Sequence, residues 1–248
     1  MRRRGGAALR ALDAYRVGGL SSVYYVPDYL SAAEEEAIAE QLGASPPAMW
    51  QEMQGRRVQE CGSAVAADGR GLVLEALPPW MRAVCARLVR DGFFPESMRP
   101  NSVSLNEYGP TEGIAPHADG PIYAPRVAIL SLFSPAVFRL YGAQPELRRQ
   151  LAWDEQTDTP RHAPRGAPQE CLLLQPRSLL LFAGDAFQQH CHEVAACPSG
   201  REVVGDAASG SLVNGALAGA ATGDTVLRGH RVSLTVRHLL EFLLAPDG

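Results

Sequence analysis

The sequence contains no lysine, because all 23 of its basic residues are arginine. A lysine Schiff base and a lysine general base are therefore excluded. With 24 glycines, 19 prolines and abundant alanine, the composition is typical of a GC-rich coding sequence, so we interpret most surface arginines as solvated charges. The net charge of −4 argues against wide non-specific nucleic-acid binding, which requires a basic face, but it is compatible with a small basic patch.

Cysteines are few and long apolar runs are lacking. The five cysteines form no Cys-x-x-Cys pair, which disfavours a zinc ribbon and a thioredoxin-like site. Reduced thiols are expected, and they indicate a location in the nucleus, the cytoplasm or both. No apolar run reaches the roughly 18–20 residues that cross a bilayer, so we predict no membrane partner.

Local signals predict helices early in the chain and strands later. Ser31-Ala-Ala-Glu34 is a capping box that opens a helix ending at Gly43, and Pro78-Pro79 opens a second helix. Gln175-Pro-Arg177 is expected to join two strands as a hairpin. Helices followed by many short strands are typical of an α+β chain with a β-sandwich or jelly-roll core. The strands are expected at 23–26, 102–108, 127–133, 136–141, 171–174, 178–182, 188–194 and 231–239.

Composition divides the chain into three regions. We predict a disordered N-terminus at 1–11, an extension with two helices and a candidate substrate lid at 12–100, and a core at 101–240. Two stretches of the core, near 142–168 and 197–227, are rich in Pro, Arg, Gln and Asp or in Gly, Ala, Ser and Asp. We interpret both as long, mobile surface insertions.

A His-x-Asp pair follows the strand that ends at Tyr108. On a strand, His117 and Asp119 would share one face because side chains alternate with period 2. A distant second histidine would complete the two-histidine, one-carboxylate face of non-haem Fe(II) oxygenases. His190 and His192 are the candidates, and periodicity cannot choose between them because they are two residues apart. The alternative is a surface loop with a solvated aspartate and an unrelated histidine.

The last predicted strand carries two arginines on one face. Arg231 and Arg237 share that face with Ser233 and Thr235, and lie about 20 Å apart at about 3.3 Å per residue. Guanidinium groups bind carboxylates through a two-pronged fork, so a small dicarboxylate could lie between them. The alternative is an exposed, charged strand face, which is ordinary in an antiparallel sheet.

In this order, the motifs resemble the AlkB family of Fe(II)- and 2-oxoglutarate-dependent dioxygenases, most closely its AlkB homologue six branch. The resemblance extends from about residue 12 to 238, outside the two insertions. The motifs that carry it are Asn106-x-Tyr108, His117-x-Asp119, a late histidine and Arg231-x5-Arg237, with Tyr24-Tyr-Val-Pro-Asp-Tyr29, Leu77-Pro-Pro-Trp80, His117-Ala-Asp-Gly-Pro-Ile-Tyr123 and Pro176-Arg-Ser-Leu179.

The resemblance implies a double-stranded β-helix (jelly-roll) core with an N-terminal helical and hairpin extension. It implies Fe(II), 2-oxoglutarate and O2 as cofactor and co-substrates. His192 fits the register of the family's late ligand better than His190, although Glu193 replaces the usual glycine. The implied roles are iron binding by His117, Asp119 and His192, 2-oxoglutarate binding by Asn106, Tyr108 and Arg231, and contact with the metal-proximal carboxylate or the substrate by Arg237.

The resemblance also suggests a substrate. AlkB relatives act on alkylated bases in DNA or RNA, either in single strands or flipped out of a duplex. Arg56 and Arg57 lie where relatives carry a nucleotide-recognition lid, and Tyr123 is expected near the opening. Hydroxylation of an N-methyl group would release formaldehyde. The alternatives are a protein hydroxylase or demethylase on the same fold, and a weakly active nucleic-acid-binding module; we predict a monomer in each case.

Overall fold

The computed structural model describes residues 12–20, 22–65, 72–144, 153–154, 159–160 and 164–240. The helices are α1 (Ala32–Gly43), α2 (Pro79–Arg90), and the short α3 (Asp185–Gln189) and α4 (Gly215–Ala218). The strands are β1 (Val23–Val26), β2 (Gln51–Met53), β3 (Arg56–Cys61), β4 (Ser63–Val65), β5 (Leu72–Leu74), β6 (Ser102–Tyr108), β7 (Ile114–His117), β8 (Tyr123–Leu132), β9 (Ala136–Ala143), β10 (Trp153–Asp154), β11 (Thr159–Pro160), β12 (Glu170–Leu174), β13 (Leu179–Ala183), β14 (His190–Val194), β15 (Arg201–Val203), β16 (Ser211–Leu212), β17 (Thr225–Leu227) and β18 (Arg231–Leu239).

Two sheets form the centre of the molecule. The major sheet has seven strands in the order β1-β13-β8-β18-β6-β3-β2, and the minor sheet has five in the order β16-β12-β9-β14-β7. Strands that follow one another in the chain mostly lie in different sheets or apart in one sheet, as in a jelly roll. The predicted fold class, an α+β chain with a jelly-roll core and an N-terminal extension of helices and hairpins, is confirmed.

The major sheet is buried on both faces. On one face, apolar side chains of β18 such as Leu234 pack with Ile38 of α1 and Leu88 of α2. On the other face, Phe182 of β13 packs with Phe138 of β9 in the minor sheet. The order is therefore helices, major sheet, minor sheet, and the space between the two sheets is where inward polar side chains meet.

Local sequence signals set the two long helices. Ser31 accepts a hydrogen bond from the Glu34 backbone, and the Glu34 side chain accepts one from the Ser31 backbone, so the predicted capping box is present. Pro79 occupies the first turn of α2, where its missing N–H has no cost. Met81, Cys85 and Leu88 of α2 are buried against the major sheet.

One predicted connection is wrong. The stretches around β12 and β13 are strands, but the Gln175-Pro-Arg177 segment does not join them as a hairpin. β12 pairs with β9 and β16, whereas β13 pairs with β1 and β8. The short connection carries the chain from one sheet to the other, which no local turn signal distinguishes from a hairpin.

The reading of 197–227 as a loose surface insertion is also corrected. This segment contains β15, β16, α4 and β17, and β16 adds to the minor sheet beside β12. Val204, Ser209 and Asn214 have almost no solvent exposure. The other predicted insertion, 142–168, falls largely outside the described residues, apart from the end of β9, the β10–β11 pair and residues 164–168.

Within the described residues, the helices are all too short or too polar to traverse a lipid bilayer.

Candidate active site

The inward face of β18 lines a cavity of about 310 Å³ between the two sheets. Arg231, Ser233, Thr235 and Arg237 all reach this cavity, whereas the residues between them pack against the helices. Arg231 is only 2% exposed. The arginine-bearing face is therefore internal, and the alternative of an exposed, charged strand face is wrong.

Strand β6 supplies the next row of side chains. It pairs with β18 so that Ser104 lies opposite Thr235 and Asn106 opposite Ser233. Ser104, Asn106 and Tyr108 line the cavity. Burial raises the pKa of the Tyr108 hydroxyl, which therefore stays protonated and can donate a hydrogen bond.

His117 and His192 meet on neighbouring strands of the minor sheet. The two residues are direct partners in the pairing of β7 with β14, and their ring centroids are 4.4 Å apart. Asp119 follows β7, and its Oδ2 lies 3.9 Å from His192 Nε2. The three side chains therefore converge at one end of the cavity, although they are separated by up to 75 residues in the chain.

The structure distinguishes the two late histidines by position. His192 lines the cavity and is 5% exposed. His190 does not line it, and its Nδ1 is 2.8 Å from the Tyr141 carbonyl oxygen. A register shift in β14 between His190 and His192 accompanies this difference, which simple alternation would not predict.

Burial keeps the imidazoles of this cluster neutral. It lowers the pKa of His192 to about 3, with a contribution from neighbouring His117, while Asp119 opposes the shift. Burial also lowers the pKa of His117. Nδ1 of His117 lies 2.9 Å from the Ala115 carbonyl oxygen, so a proton on Nδ1 would donate there and leave the Nε2 lone pair for a metal.

The donor set fits an Fe(II) ion by its chemistry. Two neutral imidazoles and a carboxylate match the two-histidine, one-carboxylate face. Within the described part of the chain, no three His, Cys, Asp or Glu side chains are already drawn together as if around a bound metal. The 3.9 Å between His192 Nε2 and Asp119 Oδ2 exceeds by about 1 Å the separation of neighbouring ligands in an octahedral site with bonds of about 2.1 Å. A side-chain rotation would have to bring these two atoms closer for both to bind one ion.

Arg237 holds the aspartate of this cluster. Its Nη1 donates to Asp119 Oδ1 at 2.9 Å, and its Nη2 donates to Ser104 Oγ. Although burial alone would lower it, the adjacent Asp119 carboxylate raises the pKa of Arg237. The Tyr123 ring lies 4.2 Å from the Arg237 guanidinium carbon, so Tyr123 contacts this end of the site without lining the cavity.

Arg231 lies at the other end of β18 and is differently surrounded. Its Nη2 donates to Ser131 Oγ at 2.9 Å, and its guanidinium lies 5.4 Å from the Tyr108 ring centroid. Among the described residues, no carboxylate lies within 4 Å of it and its Nε has no hydrogen-bond partner. Burial lowers the pKa of Arg231 to about 10, so it is still a cation at neutral pH. A buried cation of this kind calls for an anionic ligand.

The two adjacent arginines of β3 point in opposite directions. Arg56 is buried and lines the cavity, where its Nε donates to Asn106 Oδ1 at 3.2 Å. Arg57 faces away, forms an ion pair with Glu107, and lies over the Trp50 ring. The structure therefore brings Arg56 into the site and leaves Arg57 outside it.

Several residues that line the cavity or contact its lining were not identified from the sequence. Glu60 accepts a hydrogen bond from Ser104 Oγ at 2.6 Å at the Arg237 end. Ser131 contacts Arg231, and Phe138 stacks on His192 with ring centroids 5.0 Å apart. These positions carry no motif. The one available sequence signal was the alternation of side-chain direction along β3, β8 and β9, and no strand was predicted at β3.

Comparisons with known proteins show the family to which the chain belongs. A sequence profile described as the 2OG-Fe(II) oxygenase superfamily matches residues 22–237. A probable RNA/DNA demethylase of Danio rerio, ALKBH6, is 34% identical over 228 residues, which cover 90% of this chain and 88% of that protein.

Solved structures share the fold at low sequence identity. The structure of OsALKBH1 superimposes with a TM-score of 0.50 at 14% identity, covering 88% of this chain and 98% of that one. An oxidoreductase of the 2OG-Fe(II) oxygenase family from Burkholderia pseudomallei gives a TM-score of 0.52 at 14% identity, covering 96% and 91%. The chain belongs to the 2OG-Fe(II) oxygenase superfamily and, within it, is an ALKBH6-like member of the AlkB family, a dioxygenase that uses Fe(II), 2-oxoglutarate and O2.

Proposed function

We propose that this dioxygenase oxidatively demethylates an alkylated nucleic-acid base that is single-stranded or flipped out of a duplex. The observation that carries the site assignment is a cavity with a His, His, Asp cluster at one end and the buried Arg231 guanidinium at the other, which has no carboxylate of the described residues within 4 Å. The likeness to a probable RNA/DNA demethylase supports the substrate class.

In this proposal the metal end and the co-substrate end have separate residues. His117, Asp119 and His192 hold Fe(II), and Arg231 binds the distal carboxylate of 2-oxoglutarate. Asn106 and the protonated Tyr108 hydroxyl add hydrogen bonds to that co-substrate. When bound, Fe(II) and 2-oxoglutarate supply the oxidising power, drawn from O2, that hydroxylates a C–H bond of the substrate.

The chain's other contributions are orientation and exclusion of water. Arg237 occupies Asp119 Oδ1 and so directs Oδ2 towards the histidines. Phe138 and Ile129 line the cavity with apolar surface, which strengthens the ion pairs within it. After hydroxylation, the N-hydroxymethyl product loses formaldehyde and leaves the demethylated base.

The cavity mouth near Glu60 and Tyr123 is the proposed substrate entrance, with Arg56 deeper inside it. The net charge of −4 favours recognition of one base and its neighbours over extended phosphate contacts. We further propose that the protein acts as a monomer in the nucleus, the cytoplasm or both.

The ligand assignment is tested by Asp119→Ala and His192→Ala, with His190→Ala as the matched control two residues away on β14. We expect both ligand variants to lose Co(II) binding and 2-oxoglutarate decarboxylation, whereas His190→Ala retains both. Full turnover in either ligand variant would overturn the assignment.

The substrate is tested by formaldehyde release from a panel of N-methylated single-stranded DNA, RNA and peptides. We expect the parent protein to release formaldehyde from the methylated oligonucleotides and Asp119→Ala to release none. Release from peptides alone would replace the proposal with a protein demethylase. Salt-dependent oligonucleotide binding without release would indicate a binding module.

A further inference from the structure

The two strands that carry the histidines are weakly joined to each other. β7 lies at the edge of the minor sheet and has four residues, of which Pro116 has no N–H to donate. Its pairing with β14 consists of His192 with His117 and Val194 with Ile114, with a register shift between them. So short and irregular a ladder does not by itself fix the separation of the two imidazoles.

Arg228 bridges the same two strands from outside the cavity. Its Nη1 donates to the Ala195 carbonyl oxygen at 2.6 Å, directly after β14. Its Nη2 donates to the Glu112 carbonyl oxygen at 2.6 Å, two residues before β7. The residue is 6% exposed, so these charge-assisted hydrogen bonds are shielded from water.

Glu202 of β15 completes the bridge. Its Oε2 lies 4.0 Å from Arg228 Nε, and its Oε1 accepts a hydrogen bond from Arg139 at 3.1 Å. Arg139 also contacts Glu193, the residue directly after His192, at 3.4 Å. A chain of alternating charges therefore runs from the 197–228 segment, which is the 197–227 stretch together with Arg228, to the neighbour of a proposed metal ligand.

A glycine permits the close approach that Arg228 spans. A Cβ on Gly113 would lie 2.3 Å from the Val194 carbonyl oxygen and 2.6 Å from the Ala195 carbonyl carbon. The backbone before β7 is thus in direct contact with the backbone at the end of β14. The two hydrogen bonds of the Arg228 guanidinium and this backbone contact together hold β7 and β14 at a fixed separation.

We propose that Arg228, supported by Glu202, is a positioning residue that holds β7 and β14 in the spacing required for His117 and His192 to bind one metal ion. The inference rests on the proposed roles of those histidines. It assigns to the 197–228 segment a function in metal affinity, although none of its residues lines the cavity.

The test compares Arg228→Lys with Arg201→Lys, an exposed arginine of the same segment. Lysine keeps the charge but cannot donate to two carbonyls in the geometry of the fork. The metal-free proteins are titrated with Co(II), and the visible absorption of bound Co(II) reports both its dissociation constant and its coordination geometry. We expect Arg228→Lys to raise the Co(II) dissociation constant at least about 10-fold with an altered band shape, and Arg201→Lys to change neither.

Glu202→Gln is the second test variant if Arg228→Lys does not fold. It should also raise the Co(II) dissociation constant, by a smaller factor. The inference is overturned if a folded Arg228→Lys protein has the Co(II) dissociation constant and band shape of the parent, even if urea unfolding shows that it is less stable. If Arg228→Lys does not fold, the same result in Glu202→Gln overturns it. A parent-like constant in His192→Ala would instead overturn the ligand assignment and this inference with it, so the two failures are distinguishable.

Discussion

Arg231 is the residue whose environment is least explained by the protein alone. It is a cation with 2% exposure, bonded to a serine hydroxyl and placed beside the Tyr108 ring. Buried charges are ordinarily paired, because desolvating them is costly. Among the described residues no carboxylate lies within 4 Å of Arg231, so an anionic ligand is its expected partner.

We expect Arg231→Leu to raise the KM for 2-oxoglutarate by about 10- to 100-fold, since buried hydrogen bonds to charged groups contribute about 1.5–3 kcal/mol. The metal-free variant should be at least as stable as the parent, because it no longer buries an unpaired cation. Steady-state decarboxylation and urea unfolding measure the two effects. An unchanged KM would contradict the assignment; Arg201→Leu, an exposed change, is the control.

The buried histidines make stability depend on pH. Burial lowers the pKa of His117, and that of His192 to about 3, whereas an unfolded histidine titrates near 6.5. As the pH falls below about 6.5, the unfolded chain takes up protons that the folded chain does not, so the free energy of unfolding decreases.

For the metal-free protein we therefore expect this free energy to fall between about pH 6.5 and pH 3, at up to about 1.4 kcal/mol per pH unit for each histidine. Urea unfolding at a series of pH values measures the slope. His192→Gln should reduce it, and a slope identical to that of the parent would contradict the prediction.

At the residue scale, sequence reasoning located side chains that carry a motif. His117, Asp119, Arg231 and Arg237 all reach the cavity. Alternation alone could not choose the second histidine, because it treats His190 and His192 alike and does not show the register shift of β14 between them; the choice of His192 came from the family resemblance. The direction of Arg57, which faces away from the cavity, could not be predicted either, because its strand was not recognised from the sequence.

At the element scale, strands with clear alternation were predictable and strand pairing was not. β6 has the predicted bounds, and β18 carries its polar and apolar residues on the predicted faces. The hairpin at 175–177 was wrong because the two strands join different sheets, a choice made by contacts distant in the chain. The prediction of a mobile surface insertion at residues 197–227 was wrong because composition does not show that a few buried polar groups can anchor a glycine- and alanine-rich segment.

Asn214 is such an anchor, and it gives an element-scale prediction. Its Oδ1 accepts from Leu173 N and its Nδ2 donates to Leu173 O, each at 2.9 Å, so it completes the edge of β12. Asn214→Ala would leave a buried N–H and a buried C=O unpaired, at about 1–3 kcal/mol each.

We therefore expect Asn214→Ala to lower the free energy of unfolding by about 2–5 kcal/mol in urea denaturation. Ser211→Ala, an exposed change on neighbouring β16, should stay within about 0.5 kcal/mol of the parent. Equal stabilities of Asn214→Ala and the parent would show that the segment is not anchored in this way.

At the scale of the whole molecule, the two sheets are held together by an apolar core that is interrupted by a charged cavity. A ligand that bridges the cavity's two ends should stabilise the whole fold, because it binds the native state alone. Mn(II) with N-oxalylglycine, an unreactive analogue of 2-oxoglutarate, tests this without turnover.

At about 100 times its dissociation constant each ligand contributes about 2.7 kcal/mol, so we expect the metal and the acid each to raise the melting temperature by about 5–10 °C. Arg231→Leu should lose the increment from the acid and retain that from the metal, whereas His192→Ala should lose both. A full shift in His192→Ala would place the metal elsewhere.

β18 lies between β6 and β8 and is hydrogen-bonded along both edges over most of its length. Neither Arg231 nor Arg237 can therefore slide along the strand axis without breaking two ladders at once. The strand therefore fixes the distance between the proposed carboxylate-binding end and the proposed metal-binding end of the cavity. We therefore expect the site to discriminate between co-substrates by their number of carbons: oxaloacetate, one carbon shorter than 2-oxoglutarate, should support little turnover even at saturating concentration.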